Sequence, residues 1–234
     1  MLRNPNVPLS NQSGWGANIH FGAQLENHKR IFSRIANKLG GSEKTAKEYL
    51  SKCLYYVNIG NNDYIANYFL PQFYPTSNIY TREQYAKLLI NEYFGYIKEM
   101  IDLGARKFVL VELGLIGCTP NAMSITNGSC DEEMNNAACI FSDKLKSRVK
   151  ELNSNASTDS KFICTGRIDK TTFIGFNVNA SCCKTLSNAS CVPNQTPCQN
   201  TTKFVFWDGF HTSEAANQLI AESSYKDIKC LVNS

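Results

Sequence analysis

The chain has 234 residues, 24 Lys and Arg against 20 Asp and Glu, a formal net charge of +4, and 43% hydrophobic residues. That is enough apolar material for a sizeable core, and it fits a single domain over residues 1–234. Charges of both signs are scattered without a basic block interleaved with aromatics, which argues against nucleic acid as a partner, and no apolar run reaches the roughly eighteen residues of a membrane span.

The opening "MLRNPNVPLSNQSGWG" is polar and rich in Pro and Asn. It has no apolar h-region and so is no signal peptide; residues 1–13 read as an irregular lead-in. Either the chain is cytosolic or its natural beginning lies elsewhere. From Gln24 to Leu39, Leu25, His28, Phe32, Ile35, Ala36 and Leu39 recur on one helical face, and Gly40-Gly41 ends the helix. Ser42 can cap a second helix running to about Lys52. "CLYYVNIG" is a short apolar strand that ends at Gly60-Asn61-Asn62-Asp63.

A long amphipathic helix follows from Arg82 to Leu103, with Gly104 as its C′ residue. "KFVLVEL" is a buried strand leading into the turn-rich "GLIGCTP", and Asp131 to Leu152 is a third long helix. "KFICT" is a weaker strand. Residues 181–202 read as a disulfide-pinned loop, "FVFW" as a short strand or extended entry, and Ser213 to about Ser223 as a helix with Thr212 at its N-cap. Apolar strands alternating with helices predict an α/β fold with a parallel sheet covered on both faces. Ligands of such sheets sit beyond the carboxyl ends of the strands, where Gly60–Asp63 and Gly114–Pro120 lie and which the Asp208–His211 loop could reach.

Ten cysteines, including the vicinal Cys182–Cys183 with Cys191 and Cys198 close behind, show irregular spacing and no CxxC zinc pattern. An even count of this size fits an oxidising compartment, and the pairing is open. Asn11, Asn127, Asn155, Asn179, Asn188, Asn194 and Asn200 each stand two residues before Ser or Thr, the acceptor pattern of N-glycosylation.

Two segments could carry chemistry. In "FVFWDGFHTSEAAN", Asp208 stands three residues before His211. An imidazole can take a proton from a hydroxyl near neutral pH, and a carboxylate on its other ring nitrogen would fix its tautomer. The plainer alternative is a capping Asp and a surface His before a helix. In "IGNND", Asn62 follows a strand and a glycine, so its carboxamide could donate to an oxyanion; the plainer alternative is a turn. His28, on an apolar helix face, reads as a packed boundary residue, and neither His28 nor His20 is given a role. No nucleophile emerges: there is no G-x-S-x-G, no Gly-Asp-Ser and no cysteine at a strand-to-helix elbow. Dinucleotide, P-loop and HExxH motifs are missing as well, so no cofactor or metal site is expected.

Taken together, "YYVNIGNNDY", "GARKFVLVELGLIGCTP", "CVPNQTPC" and "FVFWDGFHTSEAAN", with "GANIHFGAQLENHKRIFSRIANKLGG" ahead of them, resemble the plant GDSL esterase/lipase family of the SGNH hydrolases. The resemblance implies a flavodoxin-like three-layer α/β/α fold. It also implies a secreted carboxylic-ester hydrolase that acts on a small-molecule or lipid ester without metal or organic cofactor. It assigns His211 as base, Asp208 as its carboxylate and Asn62 as oxyanion donor, with Gly60 and Asp63 completing that block without being catalytic. The family's serine stands in an amino-terminal Gly-Asp-Ser block on the first strand, and that text is missing here. The chain is therefore expected to lack the first strands and to leave the strand of Val57 as an unpaired edge. Such a chain would fold poorly alone, or need a partner to cover that edge. Gly209 stands where the family commonly has Ala, and Thr212 where it commonly has Pro, which at the first helical position would pre-set the entry. The alternative reading is a non-catalytic secreted glycoprotein of the same fold that binds an acyl or acetylated ligand.

Overall fold

The computed structural model describes residues 19–154, 159–166 and 170–232. The lead-in at 1–13 and the acceptors Asn11 and Asn155 fall outside the described residues.

Helix α1 (Phe21–Lys38) starts ahead of Gln24 because His20 caps it, its ring nitrogen accepting the Ala23 N–H at 3.3 Å. Ser42 caps α2 (Glu43–Leu50) as expected, its hydroxyl accepting from Thr45 N. The two helices share a small cluster of Phe32, Ala36, Ala46 and Leu50. Strand β1 (Leu54–Val57) leads into the short α3 (Asn61–Asp63), a π-helical turn (Tyr64–Tyr68) and α4 (Thr76–Ile79). Helix α5 (Arg82–Asp102) opens on a capping box: Thr81 accepts from Gln84 N while the Gln84 side chain accepts from Thr81 N. It ends at Gly104, where φ is 104° and an added Cβ would lie 2.7 Å from the Lys47 backbone. Only glycine fits there.

Strand β2 (Lys107–Val111) is followed by α6 (Pro120–Ile125) and by α7 (Glu132–Ser154), whose start is capped by the Asp131 carboxylate through Glu133 N and Met134 N. Then come β3 (Lys161–Thr165), β4 (Asn177–Ser181), β5 (Phe204–Phe206) and α8 (Glu214–Val232). Strands β1, β2 and β3 form a parallel sheet in that order, with Leu54 opposite Lys107 and Lys107 opposite Lys161. Strands β4 and β5 form a second parallel pair. The polar text of β4 hides it from any apolar-run criterion.

Alternation along the strands sorts the layers. Phe108, Leu110 and Phe162 join Tyr93, Ile97, Phe141 and Leu145 of α5 and α7 in the main core, with the Phe108 and Phe162 rings stacked at 5.0 Å. Val109 and Ile163 point the other way, onto Ile228 and Leu231 of α8. Helices thus flank both faces of a parallel sheet, the three-layer α/β/α arrangement. Full cover on both faces is not reached at β1. Tyr55 and Val57 pack into the main core, but Leu54 and Tyr56 on the opposite face are 41% and 50% exposed. β1 also ends the sheet order, so one side of its backbone has no strand beside it among the described residues. A concavity of about 350 Å³ runs along that edge, lined by Phe21, His28, Tyr55, Asn58 and Ile59 among others. Inside it, His28 Nε2 and the Tyr55 hydroxyl are buried without a hydrogen-bond partner among the described residues. Burial lowers the His28 imidazole and pushes the Tyr55 phenol up to about 12. His28 is the boundary residue its helical position suggests.

Candidate active site

Asp208 and His211 lie in the loop that follows β5, and the loop makes its own geometry. Trp207 N donates to the His211 carbonyl at 2.8 Å, Phe206 bridges Thr212 in antiparallel fashion, and Ser213 N donates to the Val205 carbonyl. Residues 207–211 are thus the tip of a tight return of the chain. At that tip Asp208 Oδ1 accepts the N–H groups of Phe210 and His211 at 2.8 and 2.7 Å, and Oδ2 lies 2.8 Å from His211 Nδ1. The carboxylate is therefore locked by two backbone donors before it meets the ring. Its side chain is 11% exposed and that of His211 is 76% exposed. Burial would raise the Asp208 carboxyl, but the backbone and ring donors of His211 and the N–H of Phe210 outweigh it and hold the group below its ordinary range. An ionised Asp208 accepts only, so Nδ1 is the protonated nitrogen of a neutral His211, and Nε2 is left to accept from outside.

The loop is tied down on two sides. Asn121 N, at the start of α6 beyond the carboxyl end of β2, donates to the Gly209 carbonyl at 3.1 Å. Gly209 N donates to the Ala189 carbonyl at 2.9 Å, and Cys182 N and Cys183 N donate to the carbonyls of Phe206 and Trp207. Ala189 belongs to the segment pinned by Cys182–Cys198 and Cys183–Cys191; Cys118–Cys130 closes a third bridge near α6. Asn121 and Ala189 act through backbone atoms, so no side-chain motif in the sequence points to them.

The helix after the loop corrects one expectation. The N-cap of α8 is Ser213 and not Thr212: the Ser213 hydroxyl accepts from Ala216 N, and its carbonyl accepts from Asn217 N. Thr212 stands one residue before the cap, so a proline there would not occupy the first helical position. The aim of His211 is set by Asp208, not by residue 212.

Asn62 sits in α3 at the carboxyl end of β1, exposed. Gly60 before it has φ of 127°, and an added Cβ would lie 2.9 Å from Leu113 Cδ2, so this turn needs its glycine. Asp63 is fully buried and its carbonyl accepts from the Tyr85 hydroxyl at 3.2 Å, which anchors the block. Among the described residues no hydrogen bond joins Asn62 to His211, and none gives His211 Nε2 a serine or cysteine partner. No group of three or more His, Cys, Asp or Glu side chains is gathered to hold a metal ion among the described residues, and no helix there is long and apolar enough to cross a membrane.

The family profile described as GDSL-like Lipase/Acylhydrolase matches residues 1–224. The chain belongs to that family. Three Arabidopsis thaliana proteins, each named GDSL esterase/lipase, are 43%, 41% and 42% identical to it over 224, 223 and 225 residues, about 90% of this chain. The chain spans 61–62% of the length of these relatives. Membership and the three disulfides among the described residues fit a secreted protein.

Proposed function

We propose that this chain carries the base half of a carboxylic-ester hydrolase of the serine-His-Asp type, acting on a small-molecule or lipid ester. The observation that carries the reading is the Asp208–His211 pair. Its carboxylate is saturated by three donors, and its imidazole turns Nε2 outward on a 76% exposed side chain. In this reading Nε2 takes the proton of a serine hydroxyl as that oxygen attacks the ester carbonyl. Asp208 steadies the resulting imidazolium without itself taking the proton. The Asn62 carboxamide donates to the oxyanion of the tetrahedral intermediate, with Gly60 and Asp63 holding its turn. The serine comes from polypeptide outside these 234 residues, and the same polypeptide covers the open side of β1. The exposed acceptors Asn127, Asn179, Asn188, Asn194 and Asn200 carry sugar in the secreted protein. No metal or organic cofactor takes part, and residues 1–234 act as one domain.

The test is hydrolysis of a short p-nitrophenyl ester by the chain alone and by the chain joined to the complementary segment of one Arabidopsis relative. The expected result is background turnover alone and activity when joined, with His211→Ala lowering kcat by about 10⁴- to 10⁶-fold. A joined protein indifferent to His211→Ala refutes the reading. The outward-facing Nε2 on an exposed ring also favours a second reading, a non-catalytic secreted glycoprotein that binds an acyl or acetylated ligand. It is the outcome if the joined protein binds such a ligand without turning it over.

A further inference from the structure

Gly209 and Ala189 hold inverted assignments. Gly209 is not at a positive φ, whereas Ala189 has φ of 63°, the left-handed region where glycine is the usual residue. The contact between them explains the inversion. A Cβ at 209 would lie 2.3 Å from the Ala189 Cβ and 2.9 Å from its carbonyl oxygen; removing the methyl relieves the first contact and leaves the second a few tenths of an ångström short of an ordinary one. The Ala189 methyl, 5% exposed, therefore fills the space that a side chain at 209 would need.

The peptide units on both sides of Asp208 are bonded to this one segment. Cys183 N donates to the Trp207 carbonyl and Gly209 N donates to the Ala189 carbonyl, both at 2.9 Å. Between those two anchors the segment is closed by Cys183–Cys191, and Ala189 N is itself bonded to the Leu186 carbonyl. Any outward shift of Ala189 moves Gly209, and with it the Phe210 and His211 N–H groups that hold Asp208.

We propose that Gly209 is a positioning residue for the Asp208–His211 pair: its lack of a side chain lets the disulfide-tied segment seat with the Ala189 methyl against it, and that seating keeps the Asp208 carboxylate on His211 Nδ1. The inference rests on the reading of this pair as a base with its orienting acid, so the test reads the pair itself and not turnover. The chain has three histidines, His20, His28 and His211, so their ring signals can be assigned one by one. The full chain is labelled with 15N and the ring nitrogens are read about two pH units above an ordinary imidazole pKa, where the neutral tautomers show.

The wild type is expected to show His211 as the Nδ1–H form. Gly209→Ala is expected to lose that form to the mixture of a free imidazole. Ala189→Gly alone should retain it, and the double exchange Ala189→Gly/Gly209→Ala should restore it. If Gly209→Ala does not fold, the double variant decides, because it exchanges the two side chains and relieves the positive φ. A Gly209→Ala protein that keeps the Nδ1–H form overturns the proposal. So does a double variant that fails to fold or lacks that form. Absence of His211-dependent ester hydrolysis in the joined protein described above, with all four tautomer results as expected, would instead count against the catalytic reading.

Discussion

Replacing Glu92 by Gln should stabilise this protein above neutral pH and do nothing below about pH 4. Glu92 lies on α5 one turn before Tyr96, and its Oε2 is buried with no hydrogen-bond partner among the described residues. Burial pushes the carboxyl up to about 7. The ordinary glutamate value is about 4.3, and each unit of difference is about 1.4 kcal/mol, so ionising Glu92 in the folded chain costs on the order of 4 kcal/mol before screening. The side chain is only half buried, and solvent screening reduces that to about 2 kcal/mol. The sign follows from proton linkage. The folded state binds this proton more tightly than the unfolded state, so its contribution is full below about pH 4, declines as pH rises toward 7, and is lost above 7. The amide keeps the shape of the side chain and removes its charge. Urea unfolding of the wild type and of Glu92→Gln should give stabilities that differ by nearly zero at about pH 3. At about pH 8 the variant should be more stable by about 2 kcal/mol, or several degrees in Tm for a chain of this size. A difference equal at both pH values, or a wild type as stable as Glu92→Gln at about pH 8, would show that the carboxylate finds compensation and would refute the reasoning.

Two further outcomes follow from the same physics. Phe141 is fully buried, with ring centroids 6.3 Å from Tyr64 and 6.4 Å from Tyr93, so Phe141→Ala should cost about 3–5 kcal/mol by denaturant unfolding. The Asp208 carboxyl is held below its ordinary range, so its stabilisation is present above about pH 4 and lost as pH falls through the lower folded value. The stability difference between wild type and Asp208→Asn should therefore shrink between about pH 6 and pH 2, and an unchanging difference would count against the ionised pair.

What could be read in the sequence depended on where each structural signal resides. Helices α5 and α7 are visible because their apolar residues recur at helical spacing over about five turns or more, and their observed bounds lie within two residues of the expected ones. The Ser42 cap is visible because its partner, Thr45 N, is local. The His20 cap is not, because histidine is a rare capping residue, and helix α1 is correspondingly longer than the sequence suggests. Strand β4 could not be read: "NVNAS" has no apolar run, its alternation rests on Val178 and Ala180 alone, and it is held by pairing to β5 and by the bridges beside it. The disulfide-pinned character of residues 181–202 was legible in composition, but the pairs Cys182–Cys198 and Cys183–Cys191 were not, because spacing alone allows several connectivities.

The same distinction separates the two parts of the candidate site. The Asp208–His211 pair is built from contacts between residues two and three apart, plus backbone bonds to Asn121, Cys183 and Ala189. None of these depends on what lies beside β1, and that is why a four-residue motif reports the geometry faithfully. Asn62 is different. Its turn is fixed from below by Gly60 against Leu113 and by Asp63 against Tyr85, but its carboxamide stands exposed at the end of a strand that has no neighbour on its other side among the described residues. Three other polar groups, the Tyr55 hydroxyl on β1, Asn61 Oδ1 just after it and Nε2 of His28, whose ring packs on Tyr55, are buried without partners among the described residues. Each such group costs about 1–3 kcal/mol while it stays unpaired, so polypeptide that covers this edge would gain by bonding them. In the reading proposed above, the base and its acid are therefore complete within this chain. The oxyanion donor is the part whose aim waits on what comes to lie beside β1.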